Sequence, residues 1–270
     1  MDFYPKKIEG LDTEVIVDVV CGDHCMVAFT ASDKAHIFGA SGDKEIRSGK
    51  DIISTSFNYD NTWGFVGAFV TQAGQLYTWG RGYTGCLGHG DRLDQSAPKL
   101  VEALTGVVCK QVACGGDYTL VVTQSGQVYE IGEAKYDALQ GKDWDMQSIP
   151  TLVKALETID IKEVQCGLSF AVALSTTGYV YTWGNFNGTL GSPPRLVKEL
   201  REHNVVHLSC SWRHCAVLVD PTPCHTREAQ KPQFKVLNKY RVKDLKEMLR
   251  ARGLKVSGKK SELIERLQAQ

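Results

Sequence analysis

The sequence predicts an all-β propeller of about five blades, incomplete or open, followed by a small two-helix domain. Three observations carry that expectation. The stretch Pro98 to Gly132 (PKLVEALTGVVCKQVACGGDYTLVVTQSGQVYEIG) breaks into short β-branched or aromatic runs, each bounded by Gly, Ser, Asp or Pro. Such a pattern is that of short strands joined by tight turns. The stretch then recurs: Pro5 to Cys21, Pro98 to Cys114, Pro150 to Cys166 and Pro194 to Cys210 are all sixteen residues apart. Cys21 to Gly39, Cys114 to Gly132 and Cys166 to Gly184 are all eighteen apart. Finally, the last ~35 residues trade this pattern for helical periodicity and a high density of basic residues.

Taken in order, residues 1–20 read as half a unit, with Pro5 to Ile8 and then Val15 to Val20. At the other end, Cys210 to Val219 supplies an early strand with no Val-Tyr-x-Trp-Gly strand behind it. Unpaired strand edges invite aggregation, so residues 1–20 are expected to complete the last blade beside Cys210 to Val219. That blade is still one strand short: either His225 to Leu237 supplies it or the ring stays partly open. The second unit is irregular. Gly74 to Gly80 (GQLYTWG) matches Gly178 to Gly184 (GYVYTWG), but Asn58-Tyr59-Asp60-Asn61 stands where a Cys-Gly turn is due and the unit has gained residues. Gly74, Gly126 and Gly178 fall in hairpin turns that favour positive φ, and Gly115 and Gly167 follow the repeat cysteine where the chain turns. Tyr77, Tyr129 and Tyr181, like Trp79 and Trp183, occupy single repeat positions and are expected to pack between blades.

Residues 221–236 form a polar linker, opened by PTPCHTREAQKP. In residues 237–270, Val242, Leu245, Met248 and Leu249 recur at helical spacing and Gly253 stops the helix. Ser257 is placed as N-cap of a second helix, Lys259 to Gln268, with Leu263, Ile264 and Leu267 on one face.

These units resemble the repeats of the regulator of chromosome condensation family, whose core reads roughly Cys-Gly-x-x-His-x-x-Ala-Leu…Gly-x-Val-Tyr-x-Trp-Gly…Gly-x-Leu-Gly…Pro-x-x-Val. Here the last elements stand as Gly85-Cys86-Leu87-Gly88 then Pro98, and Gly188-Thr189-Leu190-Gly191 then Pro194, with a decayed Leu139-Gln140-Gly141 before Pro150. The resemblance covers residues 1–220. The family histidine survives as His214 and is replaced by Cys25, Tyr118 and Phe170. Members usually have seven blades, so this chain departs in size. The tail resembles a SAP motif through Val242, Leu245-Lys246, Leu249, Arg252-Gly253-Leu254, Ser257-Gly258, Lys260, Leu263-Ile264 and Arg266-Leu267.

The 270 residues carry no net charge, yet residues 231–270 hold twelve Lys/Arg against four Asp/Glu, which leaves the rest at −8. A near-neutral whole built from opposite parts expects the tail to meet an anion. Resemblance to SAP domains implies that this anion is the DNA backbone, with RNA an alternative. The candidate contacts are Lys246, Arg250, Arg252, Lys255, Ser257, Gly258, Lys259 and Lys260. Few side chains are on hand to read bases, so binding is expected to be salt-sensitive and sequence-tolerant.

The acidic propeller is expected to dock a protein partner. Its candidate anchors are Phe57, Tyr59 and Trp63 in the irregular insert, and Tyr136 and Trp144 between Gly132 and Pro150. The chain has nine cysteines and no apolar leader in MDFYPKKIEGLDTE; the four at the repeat position, Cys21, Cys114, Cys166 and Cys210, read as reduced and buried in an intracellular protein. No apolar run approaches the ~18 residues of a membrane span. Cys210, His214, Cys215, Cys224 and His225 lie near one another without two short ligand pairs, so no metal is expected. No phosphate loop or dinucleotide fingerprint is present, and no cofactor, small-molecule substrate or catalytic residue is assigned.

The leading expectation is a non-enzymatic chromatin scaffold of nuclear location, inferred from function alone. The alternatives are a guanine-nucleotide exchange factor for a small GTPase, as the founding family member is, and a component of a ribonucleoprotein assembly.

Overall fold

The computed structural model describes residues 11, 13–21, 25–31, 34–39, 44–47, 52–60, 64–132, 147–186, 189–211, 213–220, 242–251 and 254–263. Among the described residues, eighteen antiparallel strands, here β1–β18 in chain order, form five sheets. The first holds β1 (Ile16–Cys21), β2 (Cys25–Thr30), β3 (Lys34–Gly39) and β4 (Lys44–Arg47). The second holds β5 (Ile52–Asp60), β6 (Gly64–Thr71), β7 (Leu76–Gly80) and β8 (Gln95–Leu100). The third and fourth run β9 (Cys109–Cys114), β10 (Tyr118–Thr123), β11 (Val128–Gly132), β12 (Gln147–Leu152) and β13 (Ile161–Cys166), β14 (Phe170–Ser175), β15 (Val180–Phe186), β16 (Thr189–Leu196). The last contains, among the described residues, β17 (Asn204–Cys210) and β18 (Cys215–Asp220). The first strands β1, β5, β9, β13 and β17 pack successively against one another, which is the blade-beside-blade arrangement of a propeller.

Each repeat signal has a place in this frame. Pro98, Pro150 and Pro194 lie in β8, β12 and β16, the outer strand of each sheet, where an absent N–H breaks no ladder. A one-turn 3₁₀ helix then carries the chain inward, closed by Leu104 N–H on Val101 O (3.1 Å), Leu156 on Val153 (2.9 Å) and Leu200 on Val197 (3.2 Å). Hairpin Gly126 has φ 76°, and a Cβ there would meet Asp160 Cα at 2.9 Å. Its carbonyl accepts the Ile161 N–H that starts the next inner strand, so this glycine serves turn and blade junction together.

Gly115 and Gly167 are needed for a different reason than a turn. A Cβ on Gly115 would lie 2.2 Å from the Tyr118 ring, and one on Gly167 would lie 2.0 Å from the Phe170 ring. The aromatic that replaces the family histidine folds over the glycine. The Tyr118 hydroxyl then donates to Gly167 O (3.2 Å) and Phe170 O of the neighbouring blade.

The core is a series of seams between blades. Val66, Leu76 and Val101 meet Val112, Val121 and Ile131 in one cluster. Leu120, Val122 and Val128 meet Ile161, Val164 and Trp183 in the next, and Phe170, Val172 and Leu174 meet Val205 and Leu208 in the third. Trp183 is almost wholly buried in the second of these seams, and Trp79 in a further cluster with Phe29, Phe57 and Phe69, as their repeat position implies.

Polar ties run along the inner strands. Gln111 exchanges hydrogen bonds with the Val164 backbone (3.0 and 2.9 Å), Lys110 Nζ donates to Ile161 O (2.9 Å) and Lys162 Nζ to Val206 O (2.9 Å). Glu163, at the Gln111 position of its blade, meets His207 Nδ1 at 3.0 Å.

Three expectations are corrected. Ile16–Cys21 is the first strand of the first sheet, paired antiparallel with β2, and does not complete the last blade. The reason is local: a six-residue strand followed by a short hairpin pairs with its immediate successor. Among the described residues no strand of the last sheet pairs with one of the first. The irregular second unit is an ordinary blade whose inner hairpin is lengthened, with Asn58↔Val66, Tyr59↔Phe65 and Asp60↔Gly64 extending its ladder. Phe57 is buried there with Phe29, Phe69 and Trp79 and stacks on Phe65 at 5.5 Å, so it is a core residue and not a docking anchor.

Candidate nucleic-acid interface

The C-terminal domain begins, among the described residues, with helix α1 (Val242–Ala251). Leu245 and Leu249, one turn apart, are fully buried, while Lys243 and Arg250 face solvent and Lys246 is half-buried. Val242, expected on the apolar face, is 40% exposed. As the first residue of the helix, it reaches past the contact that covers Leu245. The helix packs against the 3₁₀ turn Lys154–Leu156 and against β16, so its apolar face is covered by the propeller. Leu254 N–H donates to Leu249 O (2.8 Å), a six-to-one bond of the kind that closes the end of a helix.

Residues 254–263 carry the candidate contacts. Lys255, Ser257, Gly258 and Lys259 are exposed and Lys260 is half-buried, while Leu254 and Val256 turn partly inward and Leu263 is fully buried. Gly258 has φ 128°, a backbone setting that other residues rarely adopt. Helical structure starts at Lys260, with Leu263 N–H on Lys259 O (3.1 Å).

The expected N-cap, Ser257, is therefore corrected: Lys259 holds that position. Its N–H donates to Glu262 Oε2 (3.2 Å), the return half of a capping box. Glu262 was not singled out from sequence, because a lysine at the cap conceals the usual Ser/Thr-x-x-Glu pattern. Its carboxylate already takes one of the free donors at this helix start, and the exposed cations of this surface are the side chains of Arg250, Lys255 and Lys259. Their shared exposure puts positive charge on the solvent side of a domain whose apolar side is docked.

Arg252, Trp63, Tyr136 and Trp144 lie outside the described residues, as does the linker 221–236, and Tyr59 is placed only as a backbone partner of Phe65. Among the described residues no cluster of three or more His, Cys, Asp or Glu is arranged to hold a metal ion. No described helix is long and apolar enough to cross a membrane.

The blades and the docked tail define a class: a propeller of regulator-of-chromosome-condensation repeats with an appended helical module. Comparison with known proteins makes this specific. Residues 73–122 and 161–188 match two models of the regulator of chromosome condensation (RCC1) repeat, and residues 236–270 match the SAP domain. The chain is an RCC1-repeat protein with a C-terminal SAP domain.

Among its relatives is the human E3 ubiquitin-protein ligase HERC2, 30% identical over 249 residues, 82% of this chain but 5% of that protein. Another is the ultraviolet-B receptor UVR8 of Arabidopsis thaliana, 30% identical over 239 residues, 81% of this chain and 54% of that one. The chain thus spans about half, or far less, of the length of these relatives. Among solved structures, Prp20p of Saccharomyces cerevisiae superposes with TM-score 0.65 at 16% identity over 80% of this chain and 58% of that one. Human WBSCR16 does so with TM-score 0.63 at 20% identity over 80% and 60%. At these identities the likeness shows the propeller fold.

Proposed function

We propose that this chain is a non-enzymatic, nucleic-acid-associated scaffold. The SAP domain holds DNA through its phosphates and the propeller docks a protein. The observation that carries this reading is the exposure of Arg250, Lys255 and Lys259 on a SAP domain whose apolar face is covered. The charge split supports it, with a tail of +8 beside a remainder of −8. Val15, Ile16 and Val19, exposed apolar residues at and beside β1, support a protein-docking role for the propeller. A nuclear location follows from the DNA-binding role.

The test is duplex-DNA binding by the full chain across a salt series, against a variant with Arg250, Lys255 and Lys259 changed to Ala. Each phosphate contact adds about 0.9 to the slope of log affinity against log salt. The triple variant is therefore expected to bind more weakly to all sequences, with a slope shallower by about 2 to 3. Equal slopes would remove these residues from the interface, and preference for structured RNA over duplex would redirect the proposal to a ribonucleoprotein role.

A further inference from the structure

The repeat cysteine has one job in the third and fourth blades and a different one in the fifth. Cys114 Sγ donates to Ser56 O (3.7 Å) and Cys166 Sγ to Ala113 O (3.3 Å), each reaching the inner strand of the blade before. In the last sheet Cys210 Sγ instead lies 2.7 Å from Cys215 Sγ. The cross-strand partner of the repeat cysteine is Met26 in the first sheet, Thr119 in the third and Ala171 in the fourth; in the fifth it is Cys215.

The backbone suits a bond between them. Ser211 N–H donates to His214 O (2.8 Å), so the next rung, Cys210 opposite Cys215, is a non-hydrogen-bonded antiparallel pair. Such pairs have Cα atoms about 4.5 Å apart, inside the roughly 4.4–6.8 Å span that a disulfide bridges. Both residues are only half-buried, whereas Cys86, Cys109 and Cys114 are buried.

We propose that Cys210 and Cys215 form a redox site, a cross-strand dithiol that closes to a disulfide by exchange with a low-molecular-weight disulfide of the glutathione class. Cys215 is the attacking residue. The Cys210 S–H donates to its sulfur and holds the Cys215 thiol below its ordinary value, while Cys210 is pushed up by the same contact and by burial. Burial pushes Cys86 and Cys109 up to about 11 and Cys114 up to about 12, leaving them inert.

In the first step Cys215 thiolate attacks one sulfur of oxidised glutathione and expels one glutathione thiolate, forming a mixed disulfide. In the second, Cys210 loses its proton and attacks the Cys215 sulfur, expelling the second glutathione thiolate. The protein gives up two protons and two electrons, and oxidised glutathione becomes two molecules of glutathione. Only four residues lie between the cysteines, so the bond adds little loop-closure stability; it suits a reversible site better than a structural staple.

The test uses the intact chain, equilibrated in glutathione buffers of increasing oxidised fraction, acid-quenched, alkylated and digested with trypsin. Arg213 lies between the two cysteines, so cleavage puts Cys210 on peptide 202–213 and Cys215 on peptide 214–227. The expected result is a disulfide-linked pair of these peptides, two hydrogens lighter than the free pair. It must persist in a Cys224→Ser variant, which removes the other cysteine of the second peptide. In the native reduced protein, alkylation of Cys215 is expected to run at least about 10-fold faster than that of Cys114. In Cys210→Ser, glutathione is expected to accumulate on Cys215, where the wild type releases it. Recovery of Cys210 and Cys215 as separate alkylated peptides across the whole buffer range would overturn the proposal. So would loss of the linked pair in Cys224→Ser, equal alkylation rates, or stable glutathionylation of the wild type.

Discussion

Glu130 offers the sharpest test of the seam between the third and fourth blades. It sits in β11 opposite Leu120 and Thr151, and burial of its carboxyl pushes its pKa from 4.5 up to about 7. The Trp183 indole N–H is near enough to offset part of this effect but forms no hydrogen bond. The titratable groups that feel its charge, Tyr118 and Cys166, are themselves kept neutral by burial.

A carboxyl with a raised folded-state pKa holds its proton in the fold after the unfolded chain has lost it. Its contribution to stability is therefore complete below about 4.5 and is lost as pH rises through about 7. At about 1.4 kcal/mol per pK unit, the ionised carboxylate costs the fold at most about 3.5 kcal/mol above neutral pH. Replacing Glu130 with Gln keeps the shape and removes the charge. The variant is expected to melt several degrees higher than wild type at pH 8.5, at about 2–4 °C per kcal/mol for a domain of this size. The gap should close towards pH 5. Thermal melts of both proteins across that range supply the measurement. A melting difference that is the same at pH 5 and pH 8.5 would refute the desolvation argument.

Other predictions follow from the same seams. Tyr118→Phe leaves Gly167 O without its buried donor, while Phe170 O keeps the Gly167 N–H (2.7 Å), and should lower unfolding stability by about 1–3 kcal/mol in a urea titration. Gly167→Ala forces a Cβ into the Phe170 ring and should cost about 1–3 kcal/mol, less in a Phe170→Ala background; strict additivity would show that the ring yields freely. Leu249→Ala empties a fully buried site under the SAP helix and should weaken its docking by about 2–4 kcal/mol, read as faster proteolysis after residue 220 while the blades stay protected.

Much of the fold was legible because the repeat ties chemistry to position. Proline at the outer strand, cysteine at the end of the inner one and glycine at the hairpin each answer a backbone demand, and their spacings located the sheets. The first blade was misread because Ile16–Cys21 was assigned by analogy with ring closure, whereas strand pairing is settled by its nearest neighbour in sequence. Phe57 was misread because the lengthened hairpin hides which face each residue takes. Its cross-strand neighbour Gly67 leaves room for the Trp79 ring, 2.4 Å from where a Cβ would stand, and that close approach encloses Phe57 as well.

In the tail, the exposed cations could be named from the motif, but the cap could not. A lysine at the start of a helix carries no capping signal of its own, and only the reach of Glu262 reveals it. The Cys210–Cys215 pairing is not legible in the sequence, where both read only as members of a set without metal-ligand spacing; the hairpin that puts them on one rung joins them.

The docking of α1 on the turn Lys154–Leu156 and on β16 has a mechanical consequence. A module on a loose tether samples every bearing, and whatever it grips is merely kept nearby. A module bolted to the rim of the third and fourth blades has a single bearing. A duplex held there would leave the protein along a set direction, and anything seated on the propeller would meet it at a set angle and height, as two beams meet in a bracket.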